Sequence, residues 1–393
     1  MAGSFTLNLN RNPSTNKLQS GYGEYIAGVT PSITSHSGSF TQDSTFRIDG
    51  NNFSANRQTQ LFYDDFTAGT LGQAISATGT GWVTVPTMAS YVYSSDGLAA
   101  GKRSAYLDMQ GAYDYITGLT FPNTDEIYCE HWIKYQMLVV GPDDGSGSPQ
   151  MKLTRIGSGT DFTTPSSNPN LTVTMLDVNA GGYIGTSPQV FNAPAKSTND
   201  AAQSVSGYIS LPPDGSWHKL HMAAKISTLG QSDGWRYFKT DQIGNNVHGY
   251  SGDAATASWT AGTEKHFASP NALVPKTSWD GEPWSTRYSA DGNTVNGYFG
   301  KVVLPFFTRT YQVSDVRVAC FWLNDTAERV VISTSSDWNT ALKTGITQPN
   351  LTRTHNAWEF KVETGNLPST GALYAYIVNS DKKHSTTAYQ IRS

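Results

Sequence analysis

The stretch EIYCEHWIKYQML, residues 126–138, decides how this chain folds. Read with a period of two, it sends Glu126, Tyr128, Glu130, Trp132 and Lys134 to one side and Ile127, Cys129, His131, Ile133 and Tyr135 to the other. One side is largely apolar and the other charged and aromatic, the pattern of a strand with one face in a core. A second run, WHKLHMAAKI (217–226), divides in the same way, with Trp217, Lys219, His221 and Lys225 opposed to His218, Leu220, Met222 and Ile226. Further runs are TFRIDG (45–50), TQLFYDDF (59–66), GWVTV (81–85), RSAYLDM (103–109), LTVTMLDV (171–178), WRYFKT (235–240) and VSDVRVACFWL (313–323). RVVIST (329–334), AWEFKVET (357–364) and ALYAYIVNS (372–380) complete the set. Gly, Asn, Asp, Ser and Pro bound these runs, and no 3.6-residue pattern is sustained, so the chain is expected to be all-β.

Composition points the same way. Aromatic residues make up 12% of the 393 residues, beside 37 Gly and 18 Pro, as in β-sandwiches with turn-rich connections. Charged residues reach only 15% and the net charge is -4, which supplies no basic face for nucleic acid. The N-terminal sequence has neither the charged start nor the apolar core of a secretory signal, and no run of about 18 apolar residues occurs. Neither export by the usual route nor membrane insertion is expected. Cys129 and Cys320 each lie in a strand-like run and are expected as buried thiols, with a single disulfide left open.

The length suits more than one domain. Residues 1–23 are polar and are expected to form an extended N-terminal arm that docks on an assembly or on the chain itself. Residues 24–62 and 319–393 are expected to form one split domain around a continuous sandwich at 63–318. The Ser-, Thr-, Asn- and Gly-rich tracts at 148–170 and 180–204 read as long loops and short hairpins on that sandwich.

Two segments carry a resemblance. PSITSHSGSFTQDSTFRIDGNNFSANRQTQLFYDDF (31–66) resembles the opening of IPT/TIG-type immunoglobulin-like domains, and its closing half is similar to residues 327–385, through Trp358, Leu367-Pro368 and YAYIVNSD. Between them, YDDFTAGTLGQ, SWHKLHMAAKI and GKVVLPFFTRTYQVSDVRV resemble the concanavalin A-like lectin/glucanase (laminin G-like) superfamily. The resemblance implies a jelly-roll β-sandwich inserted into an immunoglobulin-like β-sandwich. Domains of both types occur on tailed-phage particles as head decorations, head fibres or tail appendages. It therefore implies a virion structural protein made in the host cytoplasm and displayed on the virion surface. Its implied partners are other virion proteins, further copies of itself as a homo-oligomer, and host-surface polysaccharide.

The polar-aromatic sides of the two central strands would make a shallow groove in which sugar rings stack on aromatics and hydroxyls meet charges. Its candidate glycan-binding residues are Glu126, Tyr128, Glu130, Trp132, Lys134, Trp217, Lys219 and His221. A solvated sheet face with no ligand is the alternative. EIYCE echoes the Glu-x-Asp-x-Glu strand of retaining glucanases, but Tyr128 replaces the central Asp. Glu126 and Glu130, four apart on a strand, have Cα atoms about 13 Å apart, whereas retention needs carboxyls about 5 to 5.5 Å apart. A lyase would need a Tyr or His base beside a cation; Tyr128, His221, Lys219 and Arg155 supply the types without a motif. The expectation is therefore a protein without enzymatic activity, the alternative being an extracellular carbohydrate-binding or carbohydrate-active protein. No cofactor is expected, although Asp143 and Asp144 in GPDDGSGS leave calcium open. His218 and His221, three apart, point to opposite faces and cannot share a metal.

Overall fold

The computed structural model describes residues 11–12, 17–20, 23–26, 28–54, 60–84, 90–108, 117–124, 126–140, 150–157, 172–176, 184–191, 203–204, 209–211, 214–225, 235–240, 299–304, 307–309, 311–380 and 383–393. The chain is nearly all β, with every strand pair among the described residues antiparallel, and it divides into two compact units: residues 1–60 with 326–393, and residues 61–325. The border expected between residues 318 and 319 falls inside a strand, Tyr311–Asn324, that belongs wholly to the second unit.

The smaller unit contains two four-stranded sheets. One runs in the order Ile346–Thr347, Arg329–Ser333, Leu373–Val378, Tyr389–Arg392; the other in the order Asn350–Arg353, Ala357–Lys361, Thr45–Asn51, Ser32–Ser37. Alternation places Phe46, Ile48, Val330, Ile332, Trp358, Phe360, Ala375 and Ile377 in one shared core. Phe46 meets Phe360 in this core and Phe40 packed against it at ring-centroid distances of 5.5 and 5.6 Å, a geometry that adds to plain burial. A short α-helix, Trp338–Thr344, starts where the Asp337 carboxylate accepts from the Thr340 N–H at 2.8 Å. The described part of the N-terminal arm pairs as a three-stranded antiparallel sheet, Arg11–Asn12, Lys17–Ser20 and Gly23–Ile26.

The larger unit is a jelly-roll sandwich of a seven-stranded and a nine-stranded sheet. We number the strands of the seven-stranded sheet in chain order: β1 Phe62–Asp64, β2 Val92–Ser94, β3 Ser104–Asp108, β4 Glu126–Val140, β5 Asp214–Lys225, β6 Trp235–Thr240 and β7 Tyr311–Asn324. They lie in the order β6-β5-β4-β7-β3-β2, with β1 also paired to β7. The inner face presents Ile127, Cys129, His131, Ile133, Leu220, Val318, Phe321 and Leu323, all without solvent exposure. His131 on this face lies 2.9 Å from the Thr154 hydroxyl of the other sheet, and burial lowers its pKa to about 3, so it stays neutral. Its ring stacks on Phe321, which also meets Trp82.

Both cysteines are free thiols, Cys129 buried and Cys320 half-buried. Burial pushes the Cys129 thiol well up, which keeps it protonated and inert. Cys320 occupies a β-bulge in β7, with φ of 47°, a region that non-glycine residues rarely adopt. One extra residue there changes which side chains of β7 face the solvent side of the sheet.

A buried carboxylate holds the entrance to this unit. Asp64 accepts the Trp82 indole N–H at 2.7 Å and the Phe66 backbone N–H at 2.6 Å, fixing a turn in which Phe66 has φ of 59°. Burial outweighs these donors and raises the Asp64 pKa from 3.8 to about 6. A raised carboxyl favours the folded state most where it is protonated, below its unfolded pKa, and that contribution is lost as pH rises through about 6. The swing is about 3 kcal/mol. Urea denaturation of wild type and Asp64→Asn between pH 4 and 7 should show a stability difference that shifts in this direction; a pH-independent difference would remove the buried-carboxyl account.

Candidate functional site

Register across β5, β4, β7 and β3 builds the polar face of the seven-stranded sheet as rows. Lys134 on β4 is the direct partner of Trp217 on β5 and of Arg317 on β7, and Arg317 is the partner of Tyr106 on β3. Directly opposed residues share a face, so Trp217, Lys134, Arg317 and Tyr106 form one row of aromatic, cation, cation, aromatic. With strands about 4.8 Å apart, that row spans about 14 Å, enough for an oligosaccharide rather than a single sugar. The next row holds Lys219, Trp132 and Ala319, and the one beyond it His221, Glu130 and Trp322. Tyr128 and Asn324 are partners one step further along, followed by Glu126.

The rows differ sharply in exposure. The Lys134 and Arg317 side chains are 25% and 17% exposed and Trp217 is half-buried, whereas Tyr128, Glu130, Trp132, Lys219, His221 and Trp322 are all 4% exposed or less. The open groove expected along the whole face is therefore confined to one end. Toward the other end, Lys219 Nζ meets Glu130 Oε1 at 2.9 Å as a buried ion pair. Tyr128 donates its hydroxyl to Glu126, and its ring lies 6.5 Å from the His221 ring.

At the open end the row meets the loop between β2 and β3. The Asp96 carboxylate is held by Lys134 Nζ at 2.9 and 3.2 Å and by Arg317 Nε at 2.9 Å, while the Trp217 indole N–H donates to the Gly97 carbonyl at 2.9 Å. Gly97 is required here because a Cβ would collide with the Lys102 backbone on the return of the loop. Arg317 also pairs with Asp315 and lies 4.7 Å over the Tyr106 ring. The Tyr106 hydroxyl is pushed up by burial and by the Asp108 and Asp315 carboxylates, with Arg317 opposing, so it stays protonated.

All eight residues expected in the groove lie on β4 or β5, on one face, but only Glu126, Lys134 and Trp217 retain appreciable exposure. Arg155 lies on a strand of the other sheet and shares no face with them. Sequence reasoning missed Asp96, Tyr106, Arg317 and Trp322. Arg317 carries the period-two signal of VSDVRV, but the bulge at Cys320 puts Trp322, five residues on, on the same face. Among the described residues no group of three or more His, Cys, Asp or Glu side chains could hold a metal ion. Asp143 and Asp144 lie outside the described residues. Among the described residues no helix is long and apolar enough to cross a membrane.

No protein-family model matches the chain, and neither does any curated protein. Among solved structures, a mutant of the alginate lyase Aly36B in complex with alginate trisaccharide is similar at 14% identity, covering 68% of this chain and 98% of that one, with a TM-score of 0.38. The cellulose induced protein Cip1 matches at 13% identity, over 67% of this chain and 97% of its own, with a TM-score of 0.39. The potassium-bound Emp46p carbohydrate recognition domain matches at 10% identity, over 67% and 98%, with a TM-score of 0.33. The expectation of a protein without enzymatic activity is corrected by these comparisons, because alginate lyases stand among the similar structures.

Proposed function

We propose that the larger unit recognises a polysaccharide along the open row Trp217–Lys134–Arg317–Tyr106. The observation that carries this reading is the row itself: two aromatic rings flank two cations at partly exposed positions on four adjacent strands. Aromatic faces stack on the apolar faces of sugar rings, and ammonium and guanidinium groups donate to hydroxyl or carboxylate oxygens. Affinity electrophoresis through a panel of neutral and acidic polysaccharides tests it. Wild type should be retarded by at least one member, and Trp217→Ala and Tyr106→Ala should each lose about tenfold in affinity while melting as wild type does. Equal retardation of wild type and both variants would remove the row from recognition.

A second reading is cleavage of the bound chain by β-elimination, for which Tyr128, His221 and Lys219 supply the group types on one face; all three are 2% exposed or less, so this reading requires that end of the face to open to the chain. In that chemistry a base takes the proton α to a uronate carboxyl, a C=C bond forms as the glycosidic C–O bond breaks, and an acid returns a proton to the leaving oxygen. Tyrosine and histidine are the groups suited to those two transfers, and a cation to the carboxylate. Ultraviolet absorbance of an unsaturated sugar end, present with wild type and absent with Tyr128→Phe, is the result this reading requires. A virion appendage, with other virion proteins and further copies of this chain as partners, is the finer reading supported by the resemblance of its two segments; immunogold labelling of purified particles tests it.

A further inference from the structure

The middle of the open row is already filled. Lys134 and Arg317 converge on one carboxylate, Asp96, which is itself 40% exposed and belongs to a loop rather than to the sheet. That loop is anchored independently of the ion pair: the Ser104 hydroxyl donates to the Asp96 carbonyl at 2.7 Å, and Trp217 donates to the neighbouring Gly97 carbonyl at 2.9 Å. Arg103 further ties the loop end to the carbonyls of Thr67 and Gly69. The Asp96 side chain therefore has freedom to leave while its backbone stays in place.

We propose that Asp96 occupies the subsite for a sugar carboxylate, so that the row takes uronate-containing polysaccharide and a uronate replaces Asp96 between Lys134 and Arg317. This rests on the reading of the row as a glycan site and names its substrate class. A carboxylate held by an ammonium and a guanidinium on neighbouring strands is geometrically the contact a uronate would make. Asp96 is partly exposed, so its ion pairs are screened and inexpensive to exchange. Asp315, which also faces Arg317, remains paired to it and keeps the guanidinium oriented during the exchange. Neutral sugars bring no charge to replace that of Asp96 and should bind chiefly by stacking on the aromatic rings.

The test compares wild type, Asp96→Asn and Lys134→Gln/Arg317→Gln by calorimetric titration with oligogalacturonate and with a neutral laminari-oligosaccharide. Asp96→Asn keeps the shape of the side chain and removes its competing charge. It should tighten oligogalacturonate about tenfold, leave the neutral ligand unchanged and lose the gain in high salt. The double variant should weaken oligogalacturonate about tenfold more than it weakens the neutral ligand. Neutral binding by all three proteins, with oligogalacturonate unaffected by either change, overturns the Asp96 proposal and leaves the glycan row standing. Absence of binding to both ligands in every protein overturns the row and the proposal together. Thermal melts of each variant show that the compared proteins are folded.

Discussion

Lys219→Met is expected to destabilise the larger unit by about 3 to 5 kcal/mol, measured as a lowered urea midpoint. Lys219 and Glu130 are 2% and 4% exposed and meet at 2.9 Å, so the pair has given up nearly all its hydration. Removing the ammonium leaves a buried carboxylate between His221 and Trp322, its neighbours across the sheet, without its cation. The loss is mainly the cost of that stranded charge, not the worth of the pair. The double variant Glu130→Gln/Lys219→Met should therefore recover most of the stability, because the remaining amide is neutral. If Lys219→Met is as stable as wild type, the pair is not buried as described.

The smaller unit carries the second large effect. Arg353→Met is expected to cost about 3 to 5 kcal/mol. Arg353 meets Glu328 at 2.7 Å, both side chains being 1% exposed, and Glu328 also accepts from the hydroxyls of Ser54, at 2.9 Å, and Ser380. The guanidinium lies 5.4 Å from the Trp358 ring, so the substitution removes a cation–π contact as well as a charge. This network ties Ser54, from the first part of the chain, to residues more than 270 positions later. Glu328→Gln/Arg353→Met should again be milder than Arg353→Met alone; an additive loss in the double variant would show that the two residues act independently.

The strands were legible because alternation survives wherever one face is in the core. EIYCEHWIKYQ is the clearest instance: its inner residues Ile127, Cys129, His131 and Ile133 are all fully buried. The pairing of β4 with β5 could be read only as a likeness of pattern, since register depends on distant contacts. The site was legible in half. Lys134 and Trp217 were marked by their strands, and their partners Arg317 and Tyr106 were not, because nothing local places β7 and β3 beside them. Trp322 was hidden by the bulge at Cys320, which breaks the parity on which the reading depends. Asp96 was hidden because a loop carboxylate has no period. Burial was the largest surprise on β4 and β5: polarity suggested solvent for Glu130, Lys219 and His221, whereas each is 4% exposed or less.

The central claim is that the row Trp217–Lys134–Arg317–Tyr106 is where a polysaccharide lies. Hydrogen–deuterium exchange of the whole chain, with and without the tightest-binding oligosaccharide of the panel, tests this most directly. Slowed exchange confined to peptides spanning residues 94–106 and those containing Lys134, Trp217 and Arg317 is the predicted result. Protection at the sheets of the smaller unit, with these four segments unchanged, would contradict it.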